Sequence, residues 1–138
     1  MLRVLIADDH AIVRRGLKEI LQEAFETTLV IGEASTGLEA LNQARAEAWD
    51  VVVLDITMPG QGGLKVLKAL KHEQPSLPVL MLSMHSSSHY VLGSLKAGAS
   101  GYLNKEAAPE ELVKAIETVL AGGRYVSRAL AQTLDLNL

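Results

Sequence analysis

The chain has no cysteine, four prolines, one tryptophan and one phenylalanine, and its charges nearly cancel. Without cysteine there is no disulfide framework, no thiol nucleophile and no thiolate zinc site, which fits a reducing compartment. Thirteen Lys and Arg against 16 Asp and Glu leave a net charge of -3, and no basic cluster or aromatic-basic stripe is present to neutralise a phosphate backbone. Direct nucleic-acid binding by these residues is not expected. Long apolar runs are also missing: only Val4-Leu5-Ile6-Ala7 follows Arg3 at the start of the chain, too short for a signal peptide or a membrane span. The expectation is a cytoplasmic protein without membrane contact. What remains is the composition of one globular domain. The 138 residues are 49% hydrophobic and 21% charged, too apolar for disorder and long enough to bury roughly two thirds of the unfolded surface in one core.

Short apolar runs alternate with amphipathic stretches, a βα rhythm that predicts a parallel sheet covered by helices on both faces. The strand candidates are Leu2 to Ala7, Leu29 to Glu33, Val51 to Leu54, Pro78 to Ser83 and Gly101 to Asn104. Val13, Leu17, Ile20, Leu21 and Ala24 form one stripe of a helix from about Ala11 to Phe25. Thr36-Gly37-Leu38-Glu39 has capping-box spacing, and Leu38, Leu41 and Ala44 supply the apolar face behind it. A third helix carries Leu64, Leu67 and Leu70. A fourth, from about Ser88 to Ala97, carries Val91, Leu92 and Leu95. The fifth starts with Pro109 at its first position, buries Leu112, Val113, Ile116, Val119 and Leu120, and ends at Gly122-Gly123. Residues 1–123 are thus expected to form one five-stranded α/β domain, for which the flavodoxin-like order would be 2-1-3-4-5. Residues 124–138, with Val126, Leu130 and Leu134 at helical spacing, read as a linker or tail helix with no further strand.

Asp8 and Asp9 directly follow the first strand and Asp55 follows the third. Open α/β sheets build their sites at such carboxyl ends, and in this order strands one and three are neighbours. Three like charges in one cleft need a compensating proton or cation, and a hard all-oxygen site suits Mg²⁺. Ser83 closes the fourth strand and Lys105 follows the fifth, so a hydroxyl and an ammonium reach the same edge. Met58 to Gly63 is a glycine-rich loop beside Asp55, and no segment fits a phosphate-binding glycine motif. His85 and His89 are four apart but lack a third ligand, and His10 is read as a helix-entry residue rather than a ligand.

The motifs Val4-Leu5-Ile6-Ala7-Asp8-Asp9-His10, Val51-Val52-Val53-Leu54-Asp55-Ile56-Thr57-Met58-Pro59-Gly60, Leu80-Met81-Leu82-Ser83 and Gly98-Ala99-Ser100-Gly101-Tyr102-Leu103-Asn104-Lys105 occur in that order. Over about residues 2 to 123 the chain resembles the receiver domain of bacterial two-component response regulators, with the CheY-like fold and the wording of the NarL/FixJ (LuxR-type) branch. The resemblance implies that Asp55 is the phosphoacceptor, and that Asp8, Asp9, Asp55 and the Thr57 backbone carbonyl hold Mg²⁺. It further implies that Ser83 is the switch hydroxyl, that Lys105 pairs with the phosphoryl group, and that Tyr102 is the aromatic switch, together moving the face made by the fourth helix, fifth strand and fifth helix. Glu106 stands where the wider family often has a cis proline.

A sensor histidine kinase or histidine phosphotransfer domain is the implied partner, with the exposed part of the first helix as its contact and homodimerisation on phosphorylation as a consequence. Such a domain is not an enzyme toward other substrates; it catalyses only its own aspartyl phosphorylation and dephosphorylation. DNA contact is expected only through an output domain after Leu138, in a parent transcription regulator. The alternatives are a natural single-domain regulator and a phosphorylation-independent interaction module. A small aspartate-nucleophile phosphatase is disfavoured, because its second acid would fall at Thr57.

Overall fold

The apolar runs Val51–Leu54 and Val79–Leu82, buried along their whole length, form the centre of a parallel sheet. The computed structural model describes residues 1–58, 62–84 and 88–127, with the backbone alone at 88 and 89. The elements are β1 (Leu2–Ala7), α1 (Ala11–Ala24), β2 (Leu29–Ala34), α2 (Gly37–Ala46), β3 (Val51–Asp55), α3 (Gly63–Glu73), β4 (Val79–Ser83), α4 (Ser88–Lys96), β5 (Gly101–Asn104), α5 (Ala108–Leu120) and β6 (Tyr125–Val126). The strands run in the order β2-β1-β3-β4-β5-β6, every neighbouring pair parallel.

Strand side chains alternate between faces, and the alternation divides the interior into two cores. Leu5, Ala7, Val52, Leu54, Val79, Met81 and Tyr102 pack with residues of α2, α3 and α4 on one face. Val4, Ile6, Val51, Val53, Leu80, Leu82 and Leu103 pack with α1 and α5 on the other. Continued past the strand ends, the same parity assigns Asp8, Asp55 and Lys105 to the α1/α5 side and Ser83 to the side of Tyr102.

The sixth strand corrects the expected five. Two residues are too few to show a period of two, and the helical spacing of Val126 with Leu130 and Leu134 points the other way. Pairing decides the matter: Gly101 faces Tyr125 and Tyr102 faces Val126, with Tyr125 N–H donating to Ser100 O at 3.0 Å and Ser127 N–H to Tyr102 O at 3.1 Å. Gly101 permits this approach, since a Cβ there would lie 2.2 Å from the Tyr125 carbonyl oxygen. The Tyr125 and Ser127 hydroxyls both donate to the Glu111 carboxylate, at 2.7 and 2.9 Å, and tie the strand to α5. Residues 128–138, and with them Leu130 and Leu134, lie outside the described residues.

Local signals otherwise act as their chemistry dictates. Thr36 and Glu39 form the capping box of α2, and Gly122 and Gly123 close α5 by donating to Val119 O and Thr118 O. Pro109 sits one position later than expected, because Ala107 caps α5 and Ala108 is its first residue; the second position likewise needs no N–H within the helix. Leu38 is 58% exposed, and α2 instead buries Gly37, Ala40, Leu41 and Ala44. Ala24 ends α1 on an exposed position, and Leu92 and Leu120 are also largely outside the core.

Candidate functional site

Register brings the acidic residues together. Ala7 pairs with Leu54 and Asp55 pairs with Leu82, so Asp8 leaves β1 beside the point where Asp55 ends β3. Ser83 pairs with Asn104, and Lys105 N–H donates to the Ser83 carbonyl at 2.9 Å. Gly63 holds the start of α3 against this edge: its N–H donates to Ile56 O at 2.8 Å, and a Cβ there would come within 2.2 Å of the Asp55 carbonyl oxygen. The Lys105–Glu106 peptide is trans, and Asn104 Oδ1 accepts from Glu106 N–H at 2.8 Å in the turn leading to α5.

Asp8 and Asp55 are fully buried, and the Lys105 ammonium lies 2.8 Å from Asp8 Oδ2 and 3.1 Å from Asp55 Oδ2. Burial pushes the Asp55 carboxyl above the usual aspartate range, and the Asp8 charge adds to it; Thr57 N–H at 3.2 Å and Lys105 oppose the rise without cancelling it. Burial alone would lower the Lys105 ammonium, but its contacts with Asp8 and Asp55 outweigh that and hold it above the ordinary lysine value. Asp9 is the outer carboxylate, its side chain 29% exposed. Thr57 is exposed at the mouth of a cleft of about 530 Å³ that Asp9, His10, Met58 and Tyr90 also line. A cleft of similar size, about 540 Å³ at the opposite end of the strands beside Trp49 and Pro75, holds a single carboxylate, Asp50.

The residues fit a divalent cation. Two buried carboxylates share one ammonium, and beyond that ion pair Asp8 Oδ2 and Asp55 Oδ2 have no hydrogen-bond partner among the described residues. Asp8, Asp9, His10 and Asp55 each offer a ligand atom, all within 4.8 Å of one another. Hard oxygen donors with excess negative charge make a site that a cation neutralises.

Ser83 and Tyr102 occupy the other face, as parity requires. Both are fully buried, and the Ser83 side chain lies near enough to the Tyr102 phenol to act on its ionisation. Burial raises the Tyr102 phenol above its usual value, a rise that the Ser83 contact partly offsets. The ring is already inward, packed in the core with Met81, Val91 and Leu95.

The sequence motifs assign two participants no role at the site. His10 caps α1 as a helix-entry residue, but its Nδ1 also lies 3.0 Å from Asp8 Oδ1 and 3.1 Å from Asp9 Oδ1. Arg14 donates to the Asp8 carbonyl at 2.6 Å and to Glu33 at 3.1 Å, holding the β1–α1 turn to β2. Adjacency to the acidic pair is the one signal for His10. Arg14 has none, since its link to Glu33 depends on how β2 is placed. His85 and the His89 side chain lie outside the described residues, as do Pro59, Gly60 and Gln61 of the loop.

The model of the response regulator receiver domain family matches residues 4–117. The response regulator UvrY of Escherichia coli O6:H1 is 40% identical over 137 residues, which are 99% of this chain and 62% of UvrY. The chain therefore spans under two thirds of that relative's length. A LuxR-family two-component response regulator from Aurantimonas superimposes with a TM-score of 0.88 at 36% identity, covering 96% of this chain and 94% of that one. The isolated receiver domain of RcsB from Salmonella enterica, solved with the phosphomimetic BeF3-, gives 0.88 at 27% identity, with 96% and 98% covered. No described helix is long and apolar enough to cross a membrane.

Proposed function

Because the chain belongs to the response regulator receiver family, we propose that it works as a phosphorylation switch with Asp55 as the phosphoacceptor. The observation that carries this reading is the Asp55 carboxylate itself, buried at a strand end, ion-paired with Lys105 and grouped with Asp8 and Asp9. In the transfer, an Asp55 oxygen forms a bond to phosphorus as the phosphorus–nitrogen bond of a phosphohistidine breaks, its electron pair remaining on the donor imidazole. Asp8, Asp9, Asp55 and the Thr57 carbonyl would hold Mg²⁺, which supplies charge neutralisation between the two anions. Asp55 attacks as the anion, and the Lys105 ammonium favours that form before transfer and pairs with phosphoryl oxygens after it.

The new group brings negative charge and acceptor oxygens to an edge where the Ser83 hydroxyl stands. Ser83 then exchanges its contact with Tyr102 for one with the phosphoryl group, and the face formed by α4, β5 and α5 repacks. The protein works in the cytoplasm, and its partner is a sensor histidine kinase or a histidine phosphotransfer domain that docks against exposed α1 residues. Phosphorylation promotes homodimerisation, and in a longer parent protein the switch governs a DNA-binding output domain and transcription. The chain's own chemistry is confined to forming and losing its aspartyl phosphate.

Beryllofluoride binding tests the switch without a kinase. A bound ¹⁹F resonance that requires Mg²⁺ is expected for the native chain and not for Asp55→Asn. No bound resonance in the native chain would overturn the proposal in favour of a phosphorylation-independent interaction module.

A further inference from the structure

We propose that His10 sets the metal preference of the acidic centre by adding an imidazole nitrogen to a site that the carboxylates alone would make all-oxygen. The inference rests on reading Asp8, Asp9 and Asp55 as a metal centre, and it assigns that centre a further donor. His10 Nδ1 lies within 3.1 Å of one oxygen of each of the two consecutive aspartates, so a cation taken up between them meets the ring. The backbone that carries the ring is also held there. His10 N–H donates to Asp8 Oδ1 at 2.8 Å, and Arg14, farther along α1, fixes the Asp8 carbonyl at 2.6 Å.

Helix capping does not account for the side chain, because it makes no hydrogen bond to the free N–H groups of α1. Nor does packing, since it is 61% exposed and borders the cleft with Asp9 and Thr57. Mg²⁺ prefers oxygen and retains water, whereas the first-row transition ions gain more from a nitrogen donor, Mn²⁺ least among them and Co²⁺ more. A nitrogen donor at this place therefore raises affinity for Mn²⁺ and Co²⁺ selectively. A hydrogen bond that merely orients the carboxylates would change all divalent ions alike.

The native chain, His10→Ala and His10→Asn are titrated with Mg²⁺ and Mn²⁺, and the Mn²⁺ complexes are examined by pulsed electron paramagnetic resonance. Asn preserves a good helix cap, so the pair separates metal binding from folding. Expected are ¹⁴N modulation from imidazole in the native complex, its loss in both variants, and a fall of about tenfold in the ratio of Mn²⁺ to Mg²⁺ affinity. Mn²⁺ binding without ¹⁴N modulation and with an unchanged ratio would overturn the assignment of His10 while leaving the metal centre intact. No divalent binding by the native chain would overturn the metal centre and this inference together.

Discussion

Lys105→Met is expected to lower stability by about 3 to 5 kcal/mol at neutral pH, because it leaves Asp8 and Asp55 buried together without their cation. For a domain of this size that is a fall in Tm on the order of 10 °C or more. The loss is electrostatic rather than volumetric, since methionine fills nearly the same channel. Added Mg²⁺ should therefore return part of it, as an ion that binds only the folded state stabilises in proportion to its occupancy. The native chain should respond to Mg²⁺ less, its carboxylates being partly neutralised already. The Lys105 value is raised on folding, so its contribution is complete at neutral pH and disappears only as pH climbs through that raised value in strong alkali. Thermal melts with and without Mg²⁺ measure all of this. Equal Tm values for the two chains would contradict the geometry assigned to Lys105.

Asp55→Asn should act in the opposite direction. Burial, reinforced by Asp8, raises the Asp55 carboxyl on folding, so the folded chain binds that proton more tightly than the unfolded chain and is penalised once the group ionises. The neutral isostere removes the penalty and leaves Lys105 paired with Asp8. A rise in Tm is therefore expected at neutral pH. The native penalty is relieved as pH falls through the raised folded value toward the ordinary aspartate range, so the difference between the two chains should shrink on acidification. The same substitution deletes the attacking oxygen and should abolish phosphoryl transfer entirely. A variant both less stable and inactive would point to a structural role for Asp55. One that is more stable and inactive marks a residue kept for chemistry at a cost to the fold.

Much of this was legible from local pattern. Continuous Val and Leu runs required strands buried on both faces, and the carboxyl ends of those strands located Asp8, Asp55, Ser83 and Lys105 before any contact was known. Period-two alternation also explains why Lys105 meets the aspartates while Ser83 meets Tyr102. The less legible features depend on partners far along the chain. β6 exists because Gly101 admits the Tyr125 carbonyl and Glu111 accepts two hydroxyls, neither of which leaves a periodic trace in Tyr125–Val126. Leu38 lies between the two capping residues of α2 and faces outward, while the small Ala40 and Ala44 are the residues buried against the sheet. His10 is hidden by having two roles, since a residue that begins a helix needs no second explanation until the Asp8 and Asp9 oxygens are found beside its ring.

The central claim is that Asp55 accepts a phosphoryl group, and intact-mass measurement after incubation with acetyl phosphate tests it most directly. The account predicts a single phosphoryl adduct that requires Mg²⁺, maps to Asp55 and is missing from Asp55→Asn. An adduct at another residue, or none in the native chain under conditions where a known receiver is labelled, would contradict it.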